Sequence, residues 1–196
     1  MELLESAPKC VIYSIGVNDD SSFEAELLRR APHCEVWGYD FSVSSWGPEI
    51  TEDKDLAPRA HFHKWGLGGK DEHELGQPAM YTLKTLMEKN GHDFIDLFKI
   101  DIEGAEFDAL KSLMSSLERE GADSVPFGQM QLEIHAWAPH DGFTYFMNWW
   151  ESLERFGLRP FSFEPNLVYV SALGGRPECV EYSFINVKGN HSLISD

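Results

Sequence analysis

YSIGVNDDSSFEAELL, residues 13–28, joins a predicted buried strand to a predicted helix through a turn that carries a single glycine. The strand side is apolar and rich in β-branched and aromatic residues. On the helix side, Ser21 and Glu24 stand three positions apart and predict a capping box. Phe23 and Leu27 are expected to lie on one face of this helix. A strand followed at once by a helix is the repeating unit of an α/β domain.

The same unit recurs along the chain. Apolar runs predict five strands, at 10–16, 34–40, 60–69, 96–106 and 127–137. Two further strand-rich pieces, 158–170 and 179–187, suit an antiparallel end to the sheet. Because the first five runs are too continuously apolar to be half exposed, we predict a doubly wound α/β fold with a mostly parallel sheet and helices on both faces.

Apolar residues at helical spacing predict the helices between these strands. One covers 81–91 and ends at Asn90-Gly91, and another covers 106–120 and ends at Gly121. An aromatic helix is predicted at 143–157, where Asp141 could cap its start. Its expected core-facing residues are Phe143, Phe146, Met147, Trp150 and Leu153.

Acidic residues outnumber basic ones in the 196-residue chain, with 33 Asp plus Glu against 16 Lys plus Arg and a formal net charge of −17. Such a field repels phosphate backbones and anionic headgroups, so we expect no nucleic-acid partner and no membrane contact. It attracts cationic ligands such as a sulfonium cofactor or a basic peptide, although acidity also serves solubility alone. The length suits one domain, residues 1–196, and the sequence indicates no oligomeric state.

The start of the sequence carries neither the charged region nor the apolar region of a secretory signal, and no run approaches 18 apolar residues. We therefore expect a cytoplasmic protein, although a chain trimmed at its start would look the same. The three cysteines show no zinc-ligand spacing and are expected to be small buried side chains. Cys10 and Cys34 each open a predicted strand, so a bond between them is geometrically allowed if those strands are neighbours.

Polar groups follow the predicted strands where a parallel sheet places its ligand crevice. The first strand ends at Gly16, in a turn that lacks the other glycines of a dinucleotide-binding loop. Asp19 and Asp20 stand where phosphates would bind. For two carboxylates beside a pyrophosphate, Coulomb's law gives a repulsion of several kcal/mol at a separation of about 4 Å and an effective dielectric constant near 20. Phosphate-bearing cofactors are therefore disfavoured.

A cofactor without phosphate, S-adenosylmethionine, escapes this objection because it carries a ribose and a positively charged sulfur. Asp40, at the end of the second strand, could accept hydrogen bonds from the ribose hydroxyls. A turn cap explains Asp40 equally well. Gly16 would allow close approach of the backbone to a ligand, but tight turns also use glycine.

Four more polar residues lie in otherwise apolar runs. Alternation along a strand would put Asp101 with Glu103 on one face, and Glu133 with His135 on one face of the next strand. The four could ligate a divalent metal or supply a general base. They could also form a structural network in which Lys99 neutralises one carboxylate.

The segment KIDIEGAEFDAL, residues 99–110, closely resembles the signature of FkbM-type methyltransferases, a branch of the S-adenosylmethionine-dependent class I family. Other blocks resemble the methyltransferase-like branch of animals and fungi, so that the resemblance spans about residues 10–191. They are YSIG…SFE, EVWGYDFS, FHKWGLGG, YTLKTLMEKNGHDFIDLFKIDIEGAE, GQMQLEIHAW and LRPFSFEPNLVYV…EYSFINVKGNH.

The resemblance implies a seven-stranded Rossmann-like sheet with one antiparallel strand, and methyl transfer to oxygen or nitrogen of small molecules. We expect a small-molecule or peptide acceptor. The resemblance also places Asp40 at the ribose and Asp101 beside the methionine part of the cofactor. The remaining cofactor-binding residues that it implies are Ser14, Gly16, Phe23, Trp65, Gly66 and Leu67. The chain departs from related sequences in having less glycine in its first turn and few residues before its first strand.

Three functions remain open on the sequence. The first is a methyltransferase in which Glu133 and His135 act as the base or contact the acceptor. The second is a methyltransferase-shaped binding module that has lost catalysis. The third is a metal-dependent hydrolase that uses Asp101 with Glu133 and His135. The first reading requires no metal, and the third requires a divalent one.

Overall fold

The computed structural model describes residues 9–172, 174–175, 178–189, 191 and 194. Its strands are β1 (Cys10–Ile15), β2 (Cys34–Tyr39), β3 (Ala60–His63), β4 (Gly66–Leu67), β5 (Met80–Tyr81), β6 (Ile95–Ile100), β7 (Phe127–His135), β8 (Leu158–Pro165) and β9 (Cys179–Asn186). Its helices are α1 (Ser22–Arg30), α2 (Pro48–Thr51), α3 (Leu83–Asn90), α4 (Glu106–Glu120), α5 (Phe143–Arg155) and α6 (Leu167–Ala172), with a 3₁₀ turn at Ala57–Arg59.

Seven strands form one sheet in the order β3-β2-β1-β6-β7-β9-β8, and β4 pairs with β5 in a separate small sheet. Strand β9 runs antiparallel to both of its neighbours, while the other neighbouring pairs in the large sheet are parallel. The predicted mostly parallel, seven-stranded Rossmann-like sheet is confirmed. Chain order reverses between β1 and β6, so the ligand crevice is expected at the carboxyl ends of these two strands.

Alternate side chains of the strands fill two cores, one on each face of the sheet. Tyr13 and Phe98 lie in the core that packs against α3, α4 and α5. Ile12 and Leu97 lie in the other, against α1 and α2. Helices therefore cover both faces, as predicted. Helices α3 and α4 end where the sequence indicates, at Gly91 and Gly121, both in the left-handed conformation that glycine tolerates.

The predicted capping box at α1 is wrong. Ser21 Oγ accepts a hydrogen bond from Gly47 N at 2.9 Å, and Glu24 points into the protein, where Ser14 Oγ donates to its Oε1 at 2.6 Å. Each side chain thus bonds a group outside the helix and cannot cap it. Phe23 is 42% exposed, whereas Leu27 is buried.

Three of the predicted strands end well before their expected last residues. The strand predicted at 60–69 divides into β3 and the separate β4. The strand predicted at 96–106 ends at Ile100, because the chain turns through Glu103, with φ 55°, and Gly104, with φ 100°. Asp101 and Glu103 therefore lie in a turn, and the expected alternation along a strand face is wrong for this pair. At the other end of the sheet, the strand expected at 158–170 stops at Pro165 and α6 follows it.

Helix α5 begins after Gly142, with no side-chain cap bond at this end among the described residues, so the predicted cap by Asp141 is wrong. Phe143 is 78% exposed, whereas Trp149 and Leu153 are buried. The buried stripe thus starts later along α5 than the aromatic pattern indicates.

Cys10 and Cys34 stand directly opposite each other in β1 and β2 and form a disulfide, with 4.4 Å between their Cα atoms. The bond that the sequence left open is thus present. Cys179 is free and buried, as expected. None of the helices in the described part of the chain has both the length and the apolar character needed to cross a bilayer.

Candidate active site

A cavity of about 330 Å³ opens at the carboxyl ends of β1, β2 and β6. We call it the cofactor cavity, after the binding that the sequence predicts at these strand ends. Five of the predicted binding residues line it together: Gly16, Asp40, Gly66, Leu67 and Asp101. Its other lining residues are Ile15, Tyr39, Phe41, Ser42, Met80, Ile102, Glu103 and Ala105. The parallel sheet thus brings residues from five separate segments to one hollow, as the strand-end rule predicts.

Gly16 is needed at this turn by the protein's own backbone. Its φ is 80°, and a Cβ atom there would lie 1.7 Å from the carbonyl oxygen of Asp101. Gly16 N donates to Tyr39 O, and Asp101 N donates to Ile15 O, both at 3.0 Å. The glycine therefore lets β1 and β6 close against each other at the cavity wall, whatever the cavity binds.

Asp40 organises the turn after β2. Its Oδ2 accepts a hydrogen bond from Asn18 N at 2.9 Å, and its Oδ1 accepts from Ser42 N at 2.7 Å and from Ser42 Oγ at 2.6 Å. Partial burial opposes the charged carboxylate, but these hydrogen bonds and one from Val43 N outweigh it and hold the pKa of Asp40 below its ordinary value. Asp40 thus serves as a turn cap and presents a charged carboxylate to the cavity.

Three predicted binding residues lie elsewhere. Ser14 is fully buried and donates to Glu24. The ring of Trp65 stacks on His63 with 4.4 Å between centroids. Phe23 lines a neighbouring hollow of about 420 Å³. We call this hollow the acceptor cavity, after the role proposed for it below. The structure does not bring these three side chains to the cofactor cavity.

The acceptor cavity adjoins the cofactor cavity, because Asp101 lines both. Its floor is a row of polar side chains that face each other across four neighbouring strands: Lys99, Gln131, Ser183 and Ser162. Its walls carry Phe23, Ile100, Phe163, Glu164 and Glu181. The sequence patterns single out none of these except Phe23 and Lys99, because β9 becomes a neighbour of β7, and β8 a neighbour of β9, only in the folded sheet.

His135 lies next to the cofactor cavity, at the end of β7, and is 3% exposed. Its Nδ1 lies 2.9 Å from Glu106 Oε1. Its Nε2 faces carboxylate oxygens of Glu103 at 3.6 Å, Glu133 at 3.7 Å and Asp101 at 4.0 Å. Glu133 and His135 share one face of β7, as predicted. Neither lines the cofactor cavity or the acceptor cavity.

Burial and charge oppose each other in this cluster. Burial disfavours a charged imidazole, but the hydrogen bond with Glu106 and the charges of Glu106, Glu133 and Glu103 outweigh it and raise the pKa of His135. Burial also raises the pKa of Asp101, and the charge of Lys99 only partly offsets this effect. Lys99 Nζ donates to Gly16 O at 3.0 Å, so it ties β6 to the first turn.

The predicted metal set of Asp101, Glu133 and His135 is divided between two groups that share His135. In one group, ligand atoms of Glu133, His135 and Cys179 lie within 4.8 Å of one another. In the other, the same holds for Asp101, Glu106 and His135. Burial, followed by the charges of Glu133, Glu103 and Glu178, raises the pKa of the Cys179 thiol to about 11.

Glu106 and Cys179 are site residues that the sequence patterns missed. The sequence predicts Glu106 as the first residue of an amphipathic helix and Cys179 as a small buried side chain. Glu106 is fully buried, and its Oε1 accepts from Ile102 N at 2.9 Å. A signal was present for Glu106, because a glutamate on the inner face of an otherwise apolar helix start needs a buried partner.

A family model described as a methyltransferase domain matches residues 2–186 of the chain. The human protein named Probable methyltransferase-like protein 24 is 31% identical over 133 residues, which covers 65% of this chain and 33% of that protein. The rat protein of the same name is 29% identical over the same length, with the same coverage. The chain thus spans about a third of the length of the curated relatives that it matches.

The solved structure of StiE O-MT resembles this chain with a TM-score of 0.52 at 12% identity. The match covers 96% of this chain and 71% of that one. At this low identity the likeness concerns the fold alone, and it agrees with the arrangement of the seven-stranded sheet.

Proposed function

Because the chain belongs to a family of S-adenosylmethionine-dependent class I methyltransferases, we propose that it binds this cofactor in the cofactor cavity. We propose that the methyl group goes to an oxygen or nitrogen of a small-molecule or peptide acceptor. Membership of this family confirms the methyltransferase-like resemblance, while the finer FkbM-type assignment stays a prediction. That residues 1–196 act as a single domain, without a nucleic-acid partner, is part of the same proposal.

The observation that supports this function best is the charge of the cofactor cavity. Three carboxylates line it, those of Asp40, Asp101 and Glu103, and none of its described lining residues is cationic. Such a lining repels a phosphate and favours a ligand with a positive centre. Leu67 and Met80 supply an apolar wall for a flat ring. The residues present therefore fit a phosphate-free, positively charged adenosyl cofactor.

Each lining group then has a role. Asp40 accepts hydrogen bonds from the ribose hydroxyls, and the wall that contains Leu67 packs on the adenine. Asp101 and Glu103 hold the positively charged end of the cofactor. When bound, the cofactor supplies a methyl group on a cationic sulfur, which is the electrophile.

The acceptor cavity supports the second half of the reaction. Asp101 lines both cavities, so an acceptor held in the acceptor cavity would lie next to the cofactor, and such positioning supplies much of the rate. The carboxylates of Glu164 and Glu181 can accept the proton that the acceptor loses. Glu133 and His135 line neither cavity. We therefore assign them a structural role at the end of β7, and no contact with the acceptor.

Calorimetry with S-adenosylmethionine and S-adenosylhomocysteine tests the proposal. We expect both to bind the wild type, and Asp40→Asn to weaken both at least about tenfold, since a charged hydrogen-bond acceptor is worth roughly 1.5–3 kcal/mol. Asp53→Asn is the matched control, because Asp53 also organises a turn, accepting from Asp55 N at 3.0 Å and Leu56 N at 3.3 Å, away from the cavity. No binding to the wild type at hundreds of micromolar would refute the proposal.

The two other readings make different predictions in the same assay. A binding module that has lost catalysis would bind the cofactor but form no S-adenosylhomocysteine with any acceptor. A metal-dependent hydrolase would show no cofactor binding. Family membership favours methyl transfer over the hydrolase.

A further inference from the structure

The carboxyl end of β7 carries a histidine nitrogen without a hydrogen bond. His135 Nε2 makes none among the described residues, although the side chain is almost fully buried, and it faces Glu133 Oε2 at 3.7 Å. Directly opposite in β9 stands Cys179, which pairs with His135 in the strand register and is 2% exposed. The three side chains therefore converge from two adjacent strands onto one buried point.

We propose that Glu133, His135 and Cys179 bind one zinc ion. Their ligand atoms lie within 4.8 Å of one another. In a tetrahedral zinc site with one imidazole, one carboxylate and one thiolate ligand, bonds of about 2.0 to 2.3 Å put the ligand atoms about 3.3 to 3.6 Å apart. His135 Nε2 and Glu133 Oε2, at 3.7 Å, lie just beyond this range. Only small side-chain shifts are then needed to bring the thiolate into place.

The groups behind these ligands are those that a metal site uses. Glu106 Oε1 accepts a hydrogen bond from His135 Nδ1 at 2.9 Å, which leaves the lone pair on Nε2, and such carboxylate–histidine pairs orient metal-bound imidazoles. Asn166 Nδ2 donates to Glu133 Oε1 at 3.0 Å, so the other oxygen, Oε2, is turned toward the imidazole. Two of the three ligands are thus held by a partner of their own.

The charges around His135 Nε2 also favour a bound cation. Asp101 and Glu103 face the same Nε2 from the cofactor-cavity side, at 4.0 and 3.6 Å. Glu106 Oε2 is buried and has no hydrogen-bond partner among the described residues. In the register, Glu133 also stands directly opposite Glu181, and like charges in that position repel each other. A divalent cation would offset this excess of negative charge more fully than one proton on His135.

The ligand set favours zinc over magnesium or calcium. One imidazole and one thiolate are nitrogen and sulfur donors, which suit zinc, whereas magnesium and calcium require oxygen ligands. Three protein ligands leave a fourth position. The neighbouring carboxylates of Asp101 and Glu103 lie on the side of the cofactor cavity.

The test begins with protein that has been treated with a chelator and kept without reductant, so that Cys10 and Cys34 stay bonded. Titration with zinc against a chromophoric chelator should show one ion per chain. Cys179→Ser and His135→Gln each remove a proposed ligand, so each should weaken zinc binding by more than the roughly 10- to 100-fold that loss of an outer-shell partner costs. Glu151→Gln, an exposed change on α5, is the matched control and should have no effect.

Cobalt substitution distinguishes this site from loose binding by surface carboxylates. The wild type should show the near-ultraviolet band of a cobalt–thiolate bond, and Cys179→Ser should lack it while keeping the circular dichroism of the metal-free wild type. Cys179→Ala is the second variant if the serine variant fails to fold. Failure to bind stoichiometric zinc, or binding that these variants leave unchanged, would overturn the proposal.

Calorimetry with S-adenosylhomocysteine on the same metal-free protein separates this proposal from the proposed function. If the protein binds the cofactor but not zinc, the zinc proposal is wrong and the proposed function is unaffected. If it binds zinc but not the cofactor, the proposed function is wrong and the zinc proposal is unaffected.

Discussion

At the scale of single residues, Gly16 decides whether the first turn can form. Its side-chain position is occupied by the backbone of Asp101, and its φ is 80°. Any L side chain there must push β1 and β6 apart at the point where the cofactor cavity lies. This cost is steric and cannot be relieved by rotating a neighbouring side chain.

We therefore predict that Gly16→Ala lowers the free energy of unfolding by more than about 3 kcal/mol, since it combines left-handed strain with a backbone clash. Gly76→Ala is the matched control: φ is 83°, but nothing lies within 4 Å of the added methyl group, so about 1 to 2 kcal/mol is expected. Urea unfolding of the three proteins gives the comparison. Equal losses in both variants would mean that the clash at Gly16 is relieved without strain.

The residues that sequence reasoning could place are those at the ends of parallel strands. Gly16, Asp40 and Asp101 follow β1, β2 and β6 directly, so their meeting follows from the strand-end rule. Glu106 could not be placed in the same way. Its role depends on a hydrogen bond to His135, 29 residues further along the chain, and no local pattern encodes that distance.

At the scale of elements, β1 and β2 are joined by hydrogen bonds and by the bond between Cys10 and Cys34. The two cysteines are separated by 24 positions, a segment that contains the first turn and α1. Closing a loop of this length restricts the unfolded chain. A disulfide of this kind is typical of an oxidising compartment, so it does not favour the cytoplasmic location expected from the sequence, which stays a prediction.

We predict that reducing this bond lowers the free energy of unfolding by about 3 kcal/mol. Denaturant unfolding with and without reductant measures the loss. The double variant Cys10→Ser/Cys34→Ser is the control, because reductant should no longer change its stability. A mass difference between the alkylated native and reduced proteins first establishes that the bond forms. If the cysteines are found as free thiols in protein purified under air, the prediction fails.

Which elements exist was predictable, whereas several of their ends were not. The apolar runs indicate five strands, and all five regions contain strand. The end of β6 was missed because Asp101, Ile102 and Glu103 continue an alternating pattern that fits a strand. The chain turns there because Glu106 reaches back to Ile102 N, a contact that periodicity does not reveal. The start of the buried stripe of α5 was missed because aromatic residues occur on its exposed side as well.

At the scale of the whole molecule, the net charge of −17 acts on every ligand that approaches the cofactor cavity. S-adenosylmethionine carries a positive sulfur that its product, S-adenosylhomocysteine, lacks. The field of the protein therefore attracts the substrate form more than the product form. Salt screens this field, since the Debye length falls from about 30 Å at 0.01 M to about 3 Å at 1 M.

We predict that raising the salt concentration weakens binding of S-adenosylmethionine several-fold more than binding of S-adenosylhomocysteine, as measured by calorimetry. The triple variant Glu52→Gln/Asp93→Asn/Glu151→Gln removes three exposed charges, none of which lines the cofactor cavity. This variant should reduce the salt dependence of S-adenosylmethionine binding and leave that of S-adenosylhomocysteine binding unchanged, because the effect comes from the summed field of the protein. If the triple variant matches the wild type but Asp101→Asn abolishes the difference, the preference arises from local carboxylates instead. Equal salt dependence for both ligands in the wild type would show that the field plays no part in choosing between them.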